Sequence, residues 1–456
     1  MNSQADNRKT PNLIRMNNPN PVTTSLTKLA RSEHPVSRSE IPNSALNVLY
    51  RLHNKGFQAY LVGGCIRDRL LGKKPKDFDV VTNATPEEVK NLFRNSRIIG
   101  RRFRIVHVRY GREIIEVTTF RGKANAEHQD RKQTEAGMLL QDNVWGKIEE
   151  DVLRRDFTVN ALYYNISDFA IYDYVGGLQD LHQKTLRLIG DPATRYREDP
   201  VRMLRALRFA AKLDFKLDPA TAAPIQKQAN LLLQVPPARM FDEVLKLLLS
   251  GQAVKTFQLL NQYGLLAFLF PASYEALKLD PAALQVIQLA MRNTDARIQE
   301  DKPVTPAFLF AILLWPALIR VFNDLQAKGV PAFHAMQQAG NRVIQRQNQH
   351  TSIPKRFAFP MRDIWELQLK LPQRQGAKAW QLLHSPRFRA GYDFMLLREQ
   401  AGEATLDVAS WWTRFQAANE AEQQQMVKAL GNSSTSNRKK RAPRRRKNTL
   451  NSTSNS

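Results

Sequence analysis

A chain of 456 residues that is 43% hydrophobic can bury substantial cores and is too long for one ordinary domain, so two or three are expected. Its 68 Lys and Arg against 42 Asp and Glu leave a formal charge of +26, whose natural partner is a polyanion, either nucleic acid or an anionic membrane surface. No apolar run reaches the roughly eighteen residues of a membrane span, residues 1–41 lack the apolar stretch of a signal peptide, and the single cysteine, Cys65, excludes a disulfide framework, a thiolate zinc site and a redox pair. The expectation is a soluble, cytoplasmic protein in which carboxylates hold any metal.

Residues 1–43 are rich in Asn, Ser and Pro and poor in large apolar side chains, so they are expected to form a disordered lead. Helical spacing begins at Ser44 with Ala45, Leu46, Val48, Leu49 and Leu52, and 59–62 reads as a short strand that stops at Gly63-Gly64. A helix through Ile66, Leu70 and Leu71 ends at Gly72. Residues 76–82 are strand-like, and Thr85-Pro86-Glu87-Glu88 opens another helix with Thr85 as N-cap and Pro86 at its first position. Three more strands are expected at 105–110, 114–120 and 161–166. After Asp191-Pro192, Leu and Ala recur at helical spacing to about residue 425. The polar end of the chain carries Arg438, Lys439, Lys440, Arg441, Arg444, Arg445, Arg446 and Lys447, a basic run suited to RNA phosphates. The expected class is α+β, with a catalytic α/β head at 44–182, a helical neck at 183–255, an all-α body at 256–428 and a disordered tail at 429–456.

Asp77-Phe78-Asp79-Val80 carries the chemistry, because a strand puts alternate side chains on one face and so pairs the two carboxylates. Paired acids repel unless a divalent cation sits between them, and hard oxygen ligands suit magnesium. An isolated acid-x-acid triplet is more often a solvated strand edge. Gly63-Gly64 upstream strengthens the signal, since glycines between a strand and a helix let backbone amides approach a triphosphate, with Arg67 and Arg69 one turn into that helix. A third carboxylate has two candidates. Glu116 is an acid within the apolar run Ile114-Ile115-Glu116-Val117, where it needs a metal or a basic partner. Asp156, in Arg154-Arg155-Asp156-Phe157-Thr158, has the plainer alternative of an ion pair or cap with its neighbouring arginines.

This order of strand, Gly-Gly, helix and acid-x-acid strand resembles the nucleotidyltransferase superfamily that includes DNA polymerase beta. Lys73, Lys74 and Lys76, standing where an apolar run would lead into the first acid, argue against the haloacid-dehalogenase phosphatases. Four segments narrow the resemblance: Leu61 to Asp68, Asp77 to Asp79, Arg154 to Ala161, and Arg197 to Phe209. Together they are similar to the class II group that joins CCA-adding tRNA nucleotidyltransferases and bacterial poly(A) polymerases. The resemblance implies that Asp77 and Asp79 hold two magnesium ions, that Asp156 is catalytic with them, and that Gly63, Gly64, Arg67 and Arg155 cradle the triphosphate of ATP. Pro200 suits the first turn of a helix with Asp199 at its cap, and Arg202, Arg205 and Arg208 follow at three-residue spacing to make one polar face. Such a stripe is usually a solvated basic surface; the resemblance makes it nucleotide-binding, with Asp199 and Arg202 reading the base edge. The segments 98–108, 361–369 and 386–389, with the basic tail, favour the poly(A) polymerases. The implied activity is template-independent transfer of AMP from ATP to RNA 3′ ends, which in bacteria marks RNA for decay and brings decay proteins as partners. CCA addition is the alternative within the family. A non-catalytic RNA-binding protein is the alternative outside it, disfavoured because an idle site has no reason to keep two repelling acids.

Overall fold

A computed structural model describes residues 25–100, 103–122, 131–133, 138–403 and 407–435. The chain divides into two compact units, one built from residues up to Val235 together with Gln258–Phe268, the other from Pro236–Phe257 and the residues from Leu269 onward.

The first unit is organised by an eight-stranded sheet. Its strands are β1 (Thr27–Leu29), β2 (Ala59–Val62), β3 (Asp79–Thr82), β4 (Ser96–Ile99), β5 (Ile105–Tyr110), β6 (Glu113–Thr119), β9 (Leu162–Asn165) and β10 (Ile171–Asp173), with a separate two-stranded ribbon of β7 (Arg131–Gln133) and β8 (Leu139–Asp142). The order across the sheet is β1-β10-β9-β2-β3-β6-β5-β4, antiparallel except for the parallel pair β3 and β6. β2 sits near the middle and all four of its residues are buried, which explains why it reads as a continuous apolar run. Side chains alternate between the faces: Leu61 and Val80 join one core with Val48, Leu49 and Leu52 of helix α1 (Asn43–His53), while Tyr60, Val62 and Val81 join another with Val152 of helix α4 (Ile148–Arg154). Helix α2 (Gly64–Leu70) follows β2. Helix α3 (Pro86–Leu92) begins as its sequence demands, with the Glu88 amide donating to Thr85 Oγ1 at 3.3 Å and the Thr85 amide donating to Glu88 Oε2 at 2.7 Å.

Two expectations are corrected by the structure. The strand at 76–82 shortens to Asp79–Thr82, so Asp77 lies in its exposed approach and not on the strand face beside Asp79. The cause is the partner: Val62, the last residue of β2, pairs with Asp79, and Gly63 then turns the chain away, leaving Asp77 and Phe78 no ladder to join. The lead expected through residue 43 is structured from Thr27, where β1 pairs with β10 and Val36 and Ile41 enter the core.

From Pro192 to Thr435 the described chain is helical apart from a two-residue strand, Lys216–Leu217, as the Leu and Ala spacing predicts. Helix α5 (Gly177–His182) leads to α6 (Pro192–Glu198), capped by Asp191, which accepts from the Thr194 amide at 2.8 Å, and then to α7 (Val201–Leu213). The second unit packs around fully buried Trp315, Trp365 and Trp412, whose indole N–H groups reach Glu403, the Ala311 carbonyl and the Leu371 carbonyl at 2.7, 2.9 and 3.0 Å. No single described helix is long and apolar enough to cross a membrane.

Candidate active site

The antiparallel pairing of Val62 with Asp79 brings the acid beside the Gly63 turn. Gly63 has φ 84° and ψ −134°, a conformation that side-chain-bearing residues avoid. A Cβ at Gly63 would come 3.9 Å from the Asn160 carbonyl oxygen and one at Gly64 3.5 Å from Arg67 Nη2, ordinary contacts, so the backbone conformation of Gly63 and not crowding is what calls for glycine there. Cys65 follows, 2% exposed, with its S–H donating to the Val62 carbonyl at 3.4 Å; burial and then the charge of Asp79 push its thiol up to about 12.

Parallel pairing of Val80 with Val117 sets Glu116 on the strand next to Asp79 and in step with it. Burial, then the negative charge of Glu116, raise the Asp79 carboxyl to about 6; Arg155 pulls it down and Asp77 pushes it up. Asp79 therefore feels the charge of both Asp77 and Glu116, and His107 Nε2 lies 3.2 Å from Glu116 Oε1. Among the described residues no three acidic, His or Cys side chains stand close enough together to enclose a metal ion. The donor chemistry nevertheless fits magnesium, because all three are hard oxygen ligands and a cation would offset the repulsion that raises Asp79.

Basic groups surround this corner. Arg155, just past α4, donates through Nε to Asp151 Oδ2 at 3.0 Å and to the Tyr163 hydroxyl at 2.6 Å, and Tyr163 in turn donates to Asp151 at 2.8 Å. Burial works against the Arg155 charge, but Asp151 and Tyr163 outweigh it and hold the guanidinium above its ordinary value. Arg121, at the end of β6, stacks 4.3 Å from the Phe103 ring centre, and its amide donates to Asp151 Oδ1 at 3.1 Å. Burial lowers Arg121, Asp151 raises it, and Arg155 and Arg202 lower it further, which places three guanidinium groups within electrostatic range of each other. Arg195 on α6 donates Nη2 to the carbonyls of Arg154 and Arg155 at 2.8 and 2.7 Å and Nη1 to Glu198 at 2.7 Å. Burial, and then Arg202, bring it down to about 10. Arg202 itself donates to the Arg195 carbonyl at 2.9 Å and to Glu198 at 3.3 Å.

Asp156 faces a different partner from the metal candidates. Its Oδ2 accepts from Arg205 Nε at 3.0 Å and from Arg205 Nη2, and its Oδ1 accepts from the Phe157 amide at 2.8 Å and from Asn160 at 3.3 Å. Burial opposes ionisation, but Arg205 and these bonds hold the carboxyl well below the ordinary carboxylate range. Arg205, Arg208 and Arg67 stand over one ring, Phe209, at 5.3, 5.0 and 5.3 Å from its centre. Arg67 is 2% exposed and also donates to Asp68 at 2.7 Å and to Asn160.

The sequence-derived residues thus fall into two groups, the acids Asp77, Asp79 and Glu116 with Arg155, and the arginines about Phe209 with Asp156. Asp199 is 8% exposed between α6 and α7; it precedes Pro200, which takes the cap position of α7 in its place. Arg69 turns away to Glu40, at 3.0 Å. The basic run from Arg438 to Lys447 lies outside the described residues. Arg121, Arg195, Tyr163 and Phe209 escaped the sequence reading. For Arg195 a signal existed, three residues before Glu198 in the segment that leads into the arginine stripe. Acids of the chain pair five of these guanidinium groups, Asp151 with Arg155, Glu198 with Arg195 and Arg202, Asp156 with Arg205 and Asp68 with Arg67.

Family models match three stretches: "Poly A polymerase head domain" over residues 59–187, "Probable RNA and SrmB- binding site of polymerase A" over 214–277, and "Polymerase A arginine-rich C-terminus" over 328–447. Poly(A) polymerase I of Salmonella typhi is 48% identical over 429 residues, 92% of each chain. The CCA-adding enzyme of Bacillus pumilus is 40% identical over 205 residues, 45% of this chain and 49% of its own. The crystal structure of the Bacillus stearothermophilus CCA-adding enzyme in complex with CTP superposes with a TM-score of 0.54 at 26% identity, covering 86% of this chain and 82% of that one. Likeness that runs almost end to end with the first of these relatives, in a chain that sets an acid corner beside a glycine turn and a cluster of arginines, makes this chain a member of the bacterial poly(A) polymerase family.

Proposed function

We propose that the chain is a template-independent poly(A) polymerase that adds AMP from ATP to RNA 3′ ends and releases pyrophosphate. The observation that carries this reading is the 48% identity across 92% of both chains with poly(A) polymerase I, against 40% over less than half of either chain for one CCA-adding relative and 34% over 68% of this chain for another.

In this reading the RNA 3′ hydroxyl attacks the α-phosphorus of ATP in line with the departing pyrophosphate. Asp77 and Asp79 would hold two magnesium ions, with Glu116 the third carboxylate best supported by its register beside Asp79. When bound, these ions lower the pKa of the attacking hydroxyl and neutralise charge on the leaving oxygen. Arg155, Arg67, Arg205 and Arg208 bind the polyphosphate, and Gly63 and Gly64 let it approach the backbone. Asp156 acts as a positioning residue that fixes Arg205, while Asp199 and Arg202 select adenine. Preorganised charge and alignment supply most of the rate. We assign residues 183–255 to a neck and 256–428 to an RNA-binding body, place the enzyme in the cytoplasm, and take its tails to mark RNA for decay with the proteins of that process.

The test is purified protein with magnesium, a generic single-stranded RNA, and each nucleoside triphosphate offered separately. ATP alone should give long ladders, and Arg202→Ala should erode that preference by about 1–3 kcal/mol of base discrimination. Addition that stops after a few nucleotides, needs CTP and demands a tRNA lacking its end would replace poly(A) synthesis with CCA addition.

A further inference from the structure

In the second unit, helices Ala332–Gln347 and Lys355–Lys370 pack side by side in a register that three residue pairs define. Lys370 Nζ stands 5.2 Å from the centre of the Phe333 ring, Gln337 donates to Glu366 Oε1 at 3.3 Å, and Asn341 and Arg362 border one cavity. As the first helix advances by four residues the second retreats by four, so the pair is antiparallel and encloses a continuous groove. In the middle of that groove opens a cavity of about 260 Å³ lined by Met336, Gln337, Asn341, Arg362, Trp365 and Glu366. Trp365 is its fixed floor, 1% exposed, pinned by its bond to the Ala311 carbonyl and by Gly340, where a Cβ would come within 3.3 Å of the indole.

Phe333 and Phe359 flank the cavity. They are 41% and 57% exposed, and they are the two exposed phenylalanines among the described residues. Each keeps a cation against its ring, Lys370 for Phe333 and Arg362, at 5.6 Å, for Phe359. The eleven steps from Phe359 to Lys370 span about 17 Å of helix, room for several bases in a row. Arg362 Nε is buried without a hydrogen bond, whereas Glu366 is already engaged by Lys370 at 2.8 Å. Arg342, Arg346, Lys355 and Arg356 are exposed on the same two helices against one exposed acid, Asp363, so the pair of helices carries a net positive charge. Exposed aromatic rings within a basic groove are what single-stranded nucleic acid needs, a face for each base and a charge for each phosphate.

We propose that this groove binds the RNA substrate as a single strand, with bases stacked on Phe333 and Phe359, one base seated in the cavity against Gln337 and Asn341, and a phosphate on Arg362. The proposal rests on the reading of the chain as an RNA-extending enzyme and adds to it a site that grips RNA independently of ATP. A partner protein would need a broad apolar patch, and this groove offers two isolated rings among cations.

Fluorescence anisotropy of labelled oligoadenylate with the full chain, in the absence of ATP, tests it. The double change Phe333→Ala and Phe359→Ala should weaken binding by about 25-fold or more, since each lost stack is worth roughly five- to 150-fold. Phe333→Tyr with Phe359→Tyr should bind like the parent, because Tyr keeps the ring. The alanine pair should leave the salt dependence unchanged, while Arg362→Gln should reduce its log-log slope by about 0.7, the share of a single phosphate. In extension assays the alanine pair should raise the KM for RNA and leave the rate at saturating RNA intact. Parent-like affinity in the alanine pair at an unchanged Tm would overturn the proposal, as would equal loss in the tyrosine pair. Loss of a protein partner with RNA affinity intact would make the groove a protein-docking face instead. Because binding is read without ATP, failure here is separate from failure of ATP-dependent extension.

Discussion

Replacing Asp156 with Asn separates a ligand of the metals from a residue that positions an arginine. The change keeps the shape and the acceptor for the Phe157 amide but removes the charge that balances Arg205. Removing one member of a buried ion pair costs about 3–5 kcal/mol. The Arg205 side chain is 33% exposed, so water recovers part of this, and about 2–3 kcal/mol of destabilisation is expected. For a unit of this size that lowers Tm by roughly 4–12 °C. Arg205 would then be free to swing from its place over Phe209, and loss of one charged hydrogen bond to the nucleotide is worth about 1.5–3 kcal/mol, or a ten- to hundredfold rise in the KM for ATP, with a smaller change in kcat. Thermal unfolding and steady-state extension measure both quantities, and Arg205→Gln added to Asp156→Asn should cost little more than either alone. A fall in kcat of about a thousandfold, with Tm unchanged and a steeper magnesium requirement, would refute this and return Asp156 to the metal site.

Asp79→Asn should lower AMP transfer by roughly three orders of magnitude or more, as the site loses a ligand of the ions that stabilise the transition state, while oligoadenylate affinity stays as in the parent; near-normal extension in magnesium would remove Asp79 from the metal site. Deleting the chain after Thr435 removes eight basic residues between Arg438 and Lys447, so the log-log salt slope of RNA binding should flatten by about 0.7 for each phosphate no longer neutralised, with turnover at saturating RNA preserved. His34 bonds the Phe169 carbonyl at 2.9 Å and packs edge-on against Tyr164; burial lowers its pKa, against the pull of the Phe169 carbonyl, with Arg31 lowering and Glu33 raising it. A depressed folded value means that its contribution is complete above the unfolded pKa of about 6.5 and is lost as pH falls below it. Hydrogen exchange at 27–41, corrected for intrinsic rates, should therefore accelerate below about pH 6.5 in the parent and lose that dependence in His34→Gln.

What the sequence disclosed about the site was local. Gly63-Gly64 after an apolar run, the N-cap at Thr85 and the arginine stripe of α7 each reside within a few consecutive residues, and each appears where expected. What stayed hidden depended on distant partners. Asp77 leaves the strand because β2 stops at Val62, and Asp156 finds Arg205 forty-nine positions later. Glu116 needed a basic neighbour or a metal, and one neighbour proved to be His107 across the β5–β6 pairing. The segment carrying β1 read as disorder because its few apolar residues are diluted by Ser and Pro. Its order comes from the free edge of β10 and from burying Val36 and Ile41, which composition does not record.

The sealed Cys65 makes this enzyme convenient to instrument. Its sulfur is shut inside the sheet-to-helix junction, and with its thiol near 12 almost none is thiolate at neutral pH, so maleimides find no reactive thiol on the native chain. A cysteine introduced on the surface would become the one reactive thiol without any need to remove the original. Gln338→Cys, exposed on the helix Ala332–Gln347, could then carry a single dye or a single crosslinker and test whether RNA reaches the groove with both phenylalanine rings in place.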